Sequence, residues 1–165
     1  MLLKTKSMKH FVRVVETISD LQPAIWSIDI GHYDVPAKQV LLDTYDKLRQ
    51  AVLEREAHLT LITKIMLAVF GCVPAFDTRF TQTMRRFSKR YPLAMWNKHC
   101  GFRRFNEHAL DVLTQFFEHH RSTVTRWADK TRTYDFATGS LTLHHYTAAK
   151  IVDMIGFQAN GEIVR

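Results

Sequence analysis

The chain has 165 residues, 46% of them hydrophobic and 12% aromatic, and a formal net charge of +7. This length and composition are typical of one folded domain with a sizeable core and exclude a disordered chain. With six glycines and four prolines, a turn-rich β-sandwich or barrel is disfavoured and long helices are favoured. We therefore expect a single all-α domain over residues 1–165, with six or seven helices.

Cysteine use and hydropathy bear on the compartment. Cys72 and Cys100 stand in neither a C-x-x-C nor a C-x-x-H spacing, which is typical of core thiols in a protein from a reducing compartment. The N-terminal sequence MLLKTKSMKHF lacks the apolar core of a signal peptide. The longest apolar run, residues 65–70, is far shorter than the ~20 residues of a membrane span. We expect a cytoplasmic protein that makes no membrane contact.

The first part of the chain predicts two helices separated by an ordered loop. Apolar residues recur at helical spacing over residues 5–18. Pro and Gly interrupt residues 19–36, where we expect a loop whose apolar side chains, Trp26 among them, pack on the core. An Asp-Val-Pro sequence is a helix start signal and opens a second predicted helix over residues 36–55.

Two further helices are predicted in the middle of the chain. Residues 58–70 are apolar almost all round, which is typical of a buried central helix, and Gly71 is placed to end it. Asp77 and Thr78 then open a helix over residues 78–90. At helical spacing, the apolar residues of this helix share one face and its arginines lie on another.

The last part of the chain is predicted to form helices and one small β-hairpin. A short helix and turn are expected over residues 92–104, and a long helix over residues 105–129 with Trp127 on its buried side. An Ala-Thr-Gly-Ser turn signal flanked by alternating stretches predicts a small hairpin near residues 133–143. The final helix is predicted over residues 145–156.

The basicity of the chain is local. Residues 78–106 contain no Asp or Glu and eight Lys and Arg, one more than the net charge of +7, so the remaining residues sum to −1. Arginine forks bond phosphate oxygens, and neutralised phosphates supply most non-specific nucleic-acid affinity. We therefore predict that a basic face around residues 79–104 binds a nucleic-acid backbone, DNA or RNA. The residues assigned to phosphate contact are Arg79, Arg85, Arg86, Lys89, Arg90, Lys98, Arg103 and Arg104.

This basic stretch has alternative interpretations. Aromatic side chains between the charges, such as Phe80 and Phe87, either stack on unpaired bases or, as helical spacing favours, anchor in the core. The charges can also serve an acidic protein partner, as in a subunit of a defence or toxin–antitoxin complex. Purified protein that ignores DNA and RNA at physiological salt would favour the protein partner.

Asp77 has two interpretations. Asp is among the best N-cap residues, and one placed directly before a basic helix caps its free amides. The segment VPAFDTRFTQTMRRF, residues 73–87, also resembles helix-hairpin-helix DNA glycosylases, in which an Asp-Thr pair opens the helix after a buried one. That resemblance implies a catalytic role for Asp77, stabilising a sugar cation or activating a nucleophile. Residues 52–63 contain no glycine where this family has a Gly-rich hairpin, so Lys64 receives no role from the resemblance.

Two other resemblances are local as well. The phrase TKIMLAVFGCVPAFDTRF, residues 63–80, resembles small bacterial proteins of unassigned function, which implies no activity. Arg103 and His108 stand in the R-x-x-x-x-H spacing and resemble the motif of HEPN ribonucleases, which are all-helical bundles. This second resemblance implies that both residues act around a scissile phosphate.

The sequence contains no recognisable metal or cofactor motif. None of the nine histidines stands in an H-x-x-x-H or E-x-x-H spacing. A Gly-rich phosphate loop and the G-x-S-x-G sequence are also missing. We expect neither a metal nor a cofactor, and whether the chain is an enzyme stays open.

Overall fold

The structure, a computed structural model, describes residues 11–52, 59–90 and 101–158. For residues 89 and 90 it describes the backbone only. Helices dominate these residues, and one two-stranded sheet accompanies them, which confirms the predicted fold class. The elements of the described residues are α1 Val12–Ser19, α2 Val35–Ala51, α3 Leu59–Phe70, α4 Thr78–Arg90, α5 Glu107–Lys130, β1 Arg132–Asp135, β2 Ser140–His145 and α6 Ala148–Gln158.

Local sequence signals explain where α2 begins and where α3 ends. Asp34 precedes α2, and its side chain accepts a hydrogen bond from the amide of Ala37 at 2.8 Å, with Pro36 in the first turn. Gly71 follows α3 at a φ of 66°, a left-handed conformation that favours glycine. Its amide donates to the carbonyl of Leu67 at 3.0 Å. Both boundaries confirm predictions made from the sequence.

The longest helix, α5, organises the core. It packs against α2 and α6, and an ion pair between Lys38 and Asp111 also joins α2 to α5. α4 packs on α6, whereas α1 and α3 pack on α2. The apolar side chains that recur along α5 are therefore enclosed by other helices. Its buried residues are Ala109, Leu110, Val112, Leu113, Phe116, Phe117 and Val124.

The loop between α1 and α2 contains two 3-10 turns, Pro23–Ser27 and Ile30–His32. Ile25 is fully buried, as the sequence predicts for this loop. The prediction is wrong for Trp26, which is 58% exposed and meets Phe70 edge to face, with 4.7 Å between ring centroids. Successive residues of a 3-10 turn project about 120° apart, so Ile25 and Trp26 cannot both face the core.

The same loop fastens the start of α6. Both carboxylate oxygens of Asp29 accept hydrogen bonds there, from the amides of Ala148 at 2.7 Å and Ala149 at 2.8 Å. Thr147, the residue before α6, donates from its hydroxyl to the carbonyl of Gly71 at 2.6 Å. The N-terminus of α6 is thus positioned by contacts with residues far away in the sequence.

The predicted hairpin is confirmed. β1 and β2 are antiparallel, with Tyr134 opposite Leu141. Gly139 in the turn has a φ of 69°, and its carbonyl accepts a hydrogen bond from the Tyr134 hydroxyl at 2.5 Å. Phe136 is 92% exposed and Leu143 is 85% exposed, so the apolar side chains of the hairpin lie outside the core.

Two predictions of burial are wrong. α3 is not a fully buried central helix, because the apolar residue Ala68 is exposed. Trp127, expected on the buried side of α5, is 51% exposed, since the buried positions of this helix end at Val124. Within the described residues, no helix combines the length and the apolar character needed to cross a membrane.

Candidate nucleic-acid interface and adjoining cleft

α4 carries its apolar and basic residues on different sides. The side toward the core holds Phe80 and Met84, each 1% exposed. Gly156 of α6 permits this packing, because a Cβ at that position would lie 2.4 Å from the Phe80 ring. The arginines on the solvent-facing side of α4 are Arg79, Arg85 and Arg86.

The aromatic residues near these arginines serve mainly in packing. Phe80 is buried, and Phe87 lies edge to face against Phe116 of α5, with 5.5 Å between ring centroids. Phe102 and Phe105 are buried too. A base cannot stack on a ring that is enclosed by protein, so Phe80, Phe102 and Phe105 are core anchors, as helical spacing predicts for Phe80.

The segment before α5 adds two arginines beside α4. Phe102 packs against Phe80 of α4, with 5.3 Å between ring centroids, and Phe105 is buried as well. Arg103 and Arg104 lie between these two aromatic anchors and are exposed. Hydrophobic packing therefore holds a second basic segment against the first turn of α4.

We call the exposed arginines of these two segments, which the sequence predicts to share one basic face, the basic surface. Within the ranges that the structure describes, none of them forms an ion pair with a carboxylate. The guanidinium of Arg79 lies over the Phe157 ring, 4.5 Å from its centroid. Lys98 and the side chains of Lys89 and Arg90, also predicted to contact phosphate, lie outside the described residues. The basic surface consists of Arg79, Arg85, Arg86, Arg103 and Arg104.

The segment between α3 and α4 is tied to its neighbours by hydrogen bonds. The amide of Phe76 donates to the Thr63 hydroxyl, and the amide of Ala75 donates to the carboxylate of Asp153, both at 3.0 Å. Cys72 in this segment is fully buried, and burial raises the pKa of its thiol to about 12, which makes it unreactive at neutral pH. The start of α4 is therefore held in place by α3 and α6.

Asp77 caps α4 from the end of this segment. One carboxylate oxygen accepts a hydrogen bond from the amide of Phe80 at 2.9 Å. The other lies 3.6 Å from Nζ of Lys64, with the Asp77 side chain 19% exposed and the Lys64 side chain 55% exposed. This hydrogen bond supports the capping interpretation, and a catalytic role for Asp77 stays a prediction.

A cleft of about 700 Å³ opens beside Asp77. It lies between α3, the segment after α3, the end of the hairpin and α6. Two ion pairs line it, Lys64–Asp77 at 3.6 Å and Lys150–Asp153 at 3.3 Å, among apolar side chains. Nothing in the local pattern brings these pairs together, although Lys64 stands out as an isolated charge in an apolar helix.

Arg103 and His108 lie on opposite sides of the start of α5, and a catalytic role for them stays a prediction. Asn106 caps α5 by accepting a hydrogen bond from the amide of Ala109 at 3.0 Å, so Arg103 precedes the helix and His108 lies in its first turn. Nε2 of His108 is buried close to Gly101 and has no hydrogen-bond partner in the part of the chain that the structure describes. A general acid must reach its substrate, and this ring nitrogen is enclosed by protein.

Among the described residues, no group of three or more His, Cys, Asp or Glu side chains is placed to hold a metal ion. Comparisons of the chain with protein-family models, with curated proteins and with solved structures find no match. Function is therefore inferred from the geometry and charge of the chain itself.

Proposed function

We propose that this protein binds a nucleic-acid backbone through the basic surface. The observation that carries the proposal is a set of exposed guanidinium groups without carboxylate partners among the described residues. Guanidinium groups bind phosphate oxygens in a bidentate geometry and stay charged at any physiological pH. A polyanion supplies the acceptors that the protein does not provide at this surface.

Two arginines elsewhere in the fold, unlike those of the basic surface within the described residues, pair with a carboxylate. Arg121 of α5 pairs with Glu118, and Arg49 of α2 pairs with Asp46. Such exposed pairs contribute little to stability, but they lower the local positive potential. Residues 78–106 contain no acidic residue that could offset the positive charge of this stretch in the same way.

The salt dependence of binding tests this proposal. For duplex DNA, the logarithm of the association constant falls with the logarithm of salt concentration by about 0.9 per neutralised phosphate. If all five described arginines contact phosphate, the slope is about −4.5. Fluorescence anisotropy of labelled single- and double-stranded DNA and RNA over a salt series measures the slope and identifies the preferred nucleic acid.

A charge-matched pair of variants makes the test specific. Replacing Arg85 and Arg86 by Gln should lower affinity and reduce the slope by about 1.8, because two phosphate contacts are lost. The control replaces Arg13 of α1 and Arg126 of α5 by Gln, two exposed arginines outside the basic surface, with the same change in net charge. An equal loss in the control, or an affinity that does not respond to salt, would contradict the proposal.

An acidic protein partner is the second candidate. Its carboxylates would pair with the same arginines. The exposed apolar side chains of the hairpin also favour a protein partner, since clustered exposed apolar residues mark protein-binding surfaces. In that case the purified protein shows no binding to DNA or RNA at physiological salt.

An enzyme acting on nucleic acid is the third candidate, and the position of Asp77 beside a cleft favours it. Asn retains the capping acceptor but cannot ionise, so Asp77→Asn separates catalysis from capping. Release of bases from DNA that disappears in this variant would support the enzyme. Base release that survives the substitution, or that the wild type does not perform, would exclude this version.

A further inference from the structure

The cleft beside α4 has the size and composition of a small-molecule site. Its volume of about 700 Å³ lies within the range of ligand pockets, roughly 300–1,000 Å³. The apolar part of its lining includes Leu67 and Phe70 of α3 and Met154 and Phe157 of α6. The Phe157 ring is 49% exposed, so apolar surface is accessible within the cleft.

The two carboxylates of the cleft are already used by the fold. Asp77 accepts a hydrogen bond from the amide of Phe80, and Asp153 accepts one from the amide of Ala75. Each carboxylate also forms an ion pair with one lysine: Asp77 with Lys64, and Asp153 with Lys150 of the same helix. Acceptor capacity in the cleft is therefore largely engaged in holding α4 and the segment before it.

The two lysines have donor capacity left over. Lys64 lies 3.6 Å from Asp77, and Lys150 lies 3.3 Å from Asp153, and each ammonium carries three donors. The side chains are 55% and 33% exposed, respectively. Each ammonium group can therefore still donate a hydrogen bond to an anionic group that enters from the open side of the cleft.

We infer that this cleft binds a small organic anion with an apolar body. The acidic group lies at the ammonium groups of Lys64 and Lys150, and the apolar body contacts Leu67, Met154 and Phe157. The two ammonium groups that hold the anion are not assigned to phosphate contact, so the inference does not depend on the proposed nucleic-acid binding, although the Arg79 guanidinium lies over the Phe157 ring. The anionic group is defined by its charge, and a carboxylate represents the class.

Octanoate is a suitable probe because it combines a carboxylate with an apolar chain. Octanol lacks the charge and acetate lacks the apolar chain, so these two are the controls. In heteronuclear NMR titrations, octanoate should cause saturable shifts in the amides of α3 and α6. Octanol and acetate should bind at least about tenfold more weakly, since a charged contact or the apolar contact is missing. Octanol that binds as tightly as octanoate would overturn the assignment of an anion.

Variants locate the site. Lys64→Met or Lys150→Met keeps the apolar stem and should weaken octanoate binding about fivefold to tenfold. Lys47→Met, an exposed position of α2 outside the cleft, is the matched control and should leave the affinity unchanged. Equal affinities for all three variants and the wild type would refute the role of the cleft lysines.

Ala68→Trp tests the cleft itself. Ala68 is exposed on α3 and lines the cleft, so the indole should occupy the site without disturbing the core, and octanoate binding should be lost. Phe136→Ser on the exposed hairpin should leave octanoate binding unchanged, since this apolar surface lies elsewhere. Octanoate shifts that persist in Ala68→Trp, or that vanish in Phe136→Ser, would overturn the inference.

Discussion

The cap of α4 gives the sharpest stability prediction. Asp77→Ala removes the side chain that accepts a hydrogen bond from the Phe80 amide and faces Lys64. An N-cap contributes about 1 kcal/mol, and an ion pair as exposed as this one contributes up to about 0.5 kcal/mol. We expect Asp77→Ala to lower the free energy of unfolding by about 1.5 kcal/mol, which for a chain of this size corresponds to about 3–6 °C in Tm.

Asn at the same position separates the two contributions. Because Asn caps helices about as well as Asp, Asp77→Asn should lose the ion pair but keep the hydrogen bond, at a cost of about 0.5 kcal/mol. Urea unfolding followed by circular dichroism at about 222 nm, which reports helix content, measures the free energy of unfolding of both variants. Combining each variant with Lys64→Met isolates the ion-pair contribution in a double-mutant cycle.

Asp34→Ala is the matched control for capping. Asp34 caps α2 through the amide of Ala37 and lies away from the cleft, so its loss should cost about 1 kcal/mol. If Asp77→Asn proves as destabilising as Asp77→Ala, the hydrogen bond to Phe80 is not what stabilises this end of α4. If neither variant changes stability, the cap contributes nothing and the position of Asp77 requires another explanation.

Two further predictions concern the packing around α4. Gly156→Ala should lower the free energy of unfolding in urea by about 1–2 kcal/mol, because the overpacking against the Phe80 ring exceeds the gain in helix propensity. The same loss in a Phe80→Leu background would show that the Phe80 ring is not the cause. Burial, and to a smaller extent the neighbouring His119, lower the pKa of His120 below its usual value of 6.5. Just below pH 6.5 the unfolded chain therefore binds more protons than the folded chain, and the free energy of unfolding should decrease as the pH falls through this range. His120→Leu should reduce the difference in stability between pH 7 and pH 5, and an unchanged difference would assign it to other groups.

Local patterns predicted most of the secondary structure correctly. The Asp-x-Pro start of α2, the glycine after α3 and the turn glycine of the hairpin each satisfy a backbone requirement that depends on neighbouring residues alone. The apolar and basic sides of α4 are likewise a consequence of helical periodicity. Such features could be predicted because their physical cause lies within a few residues of the chain.

Burial at the ends of elements could not be predicted in the same way. Trp26 and Trp127 have the composition of core residues and are largely exposed. The conformation of a 3-10 turn decides the first case, and in the second case the buried side of α5 ends at Val124, before Trp127. The period of a regular helix predicts neither.

The sequence by itself determined a helical chain with one basic helix, because spacing, charge and turn residues act locally. Tertiary structure alone decided that Lys64 and Lys150 share a cleft with Asp77 at its wall. The contacts that build this cleft, from Asp29 to the start of α6 and from Asp153 to Ala75, join residues distant in the chain. The packing of whole helices decides which of these distant residues meet, and the local sequence pattern does not specify that packing.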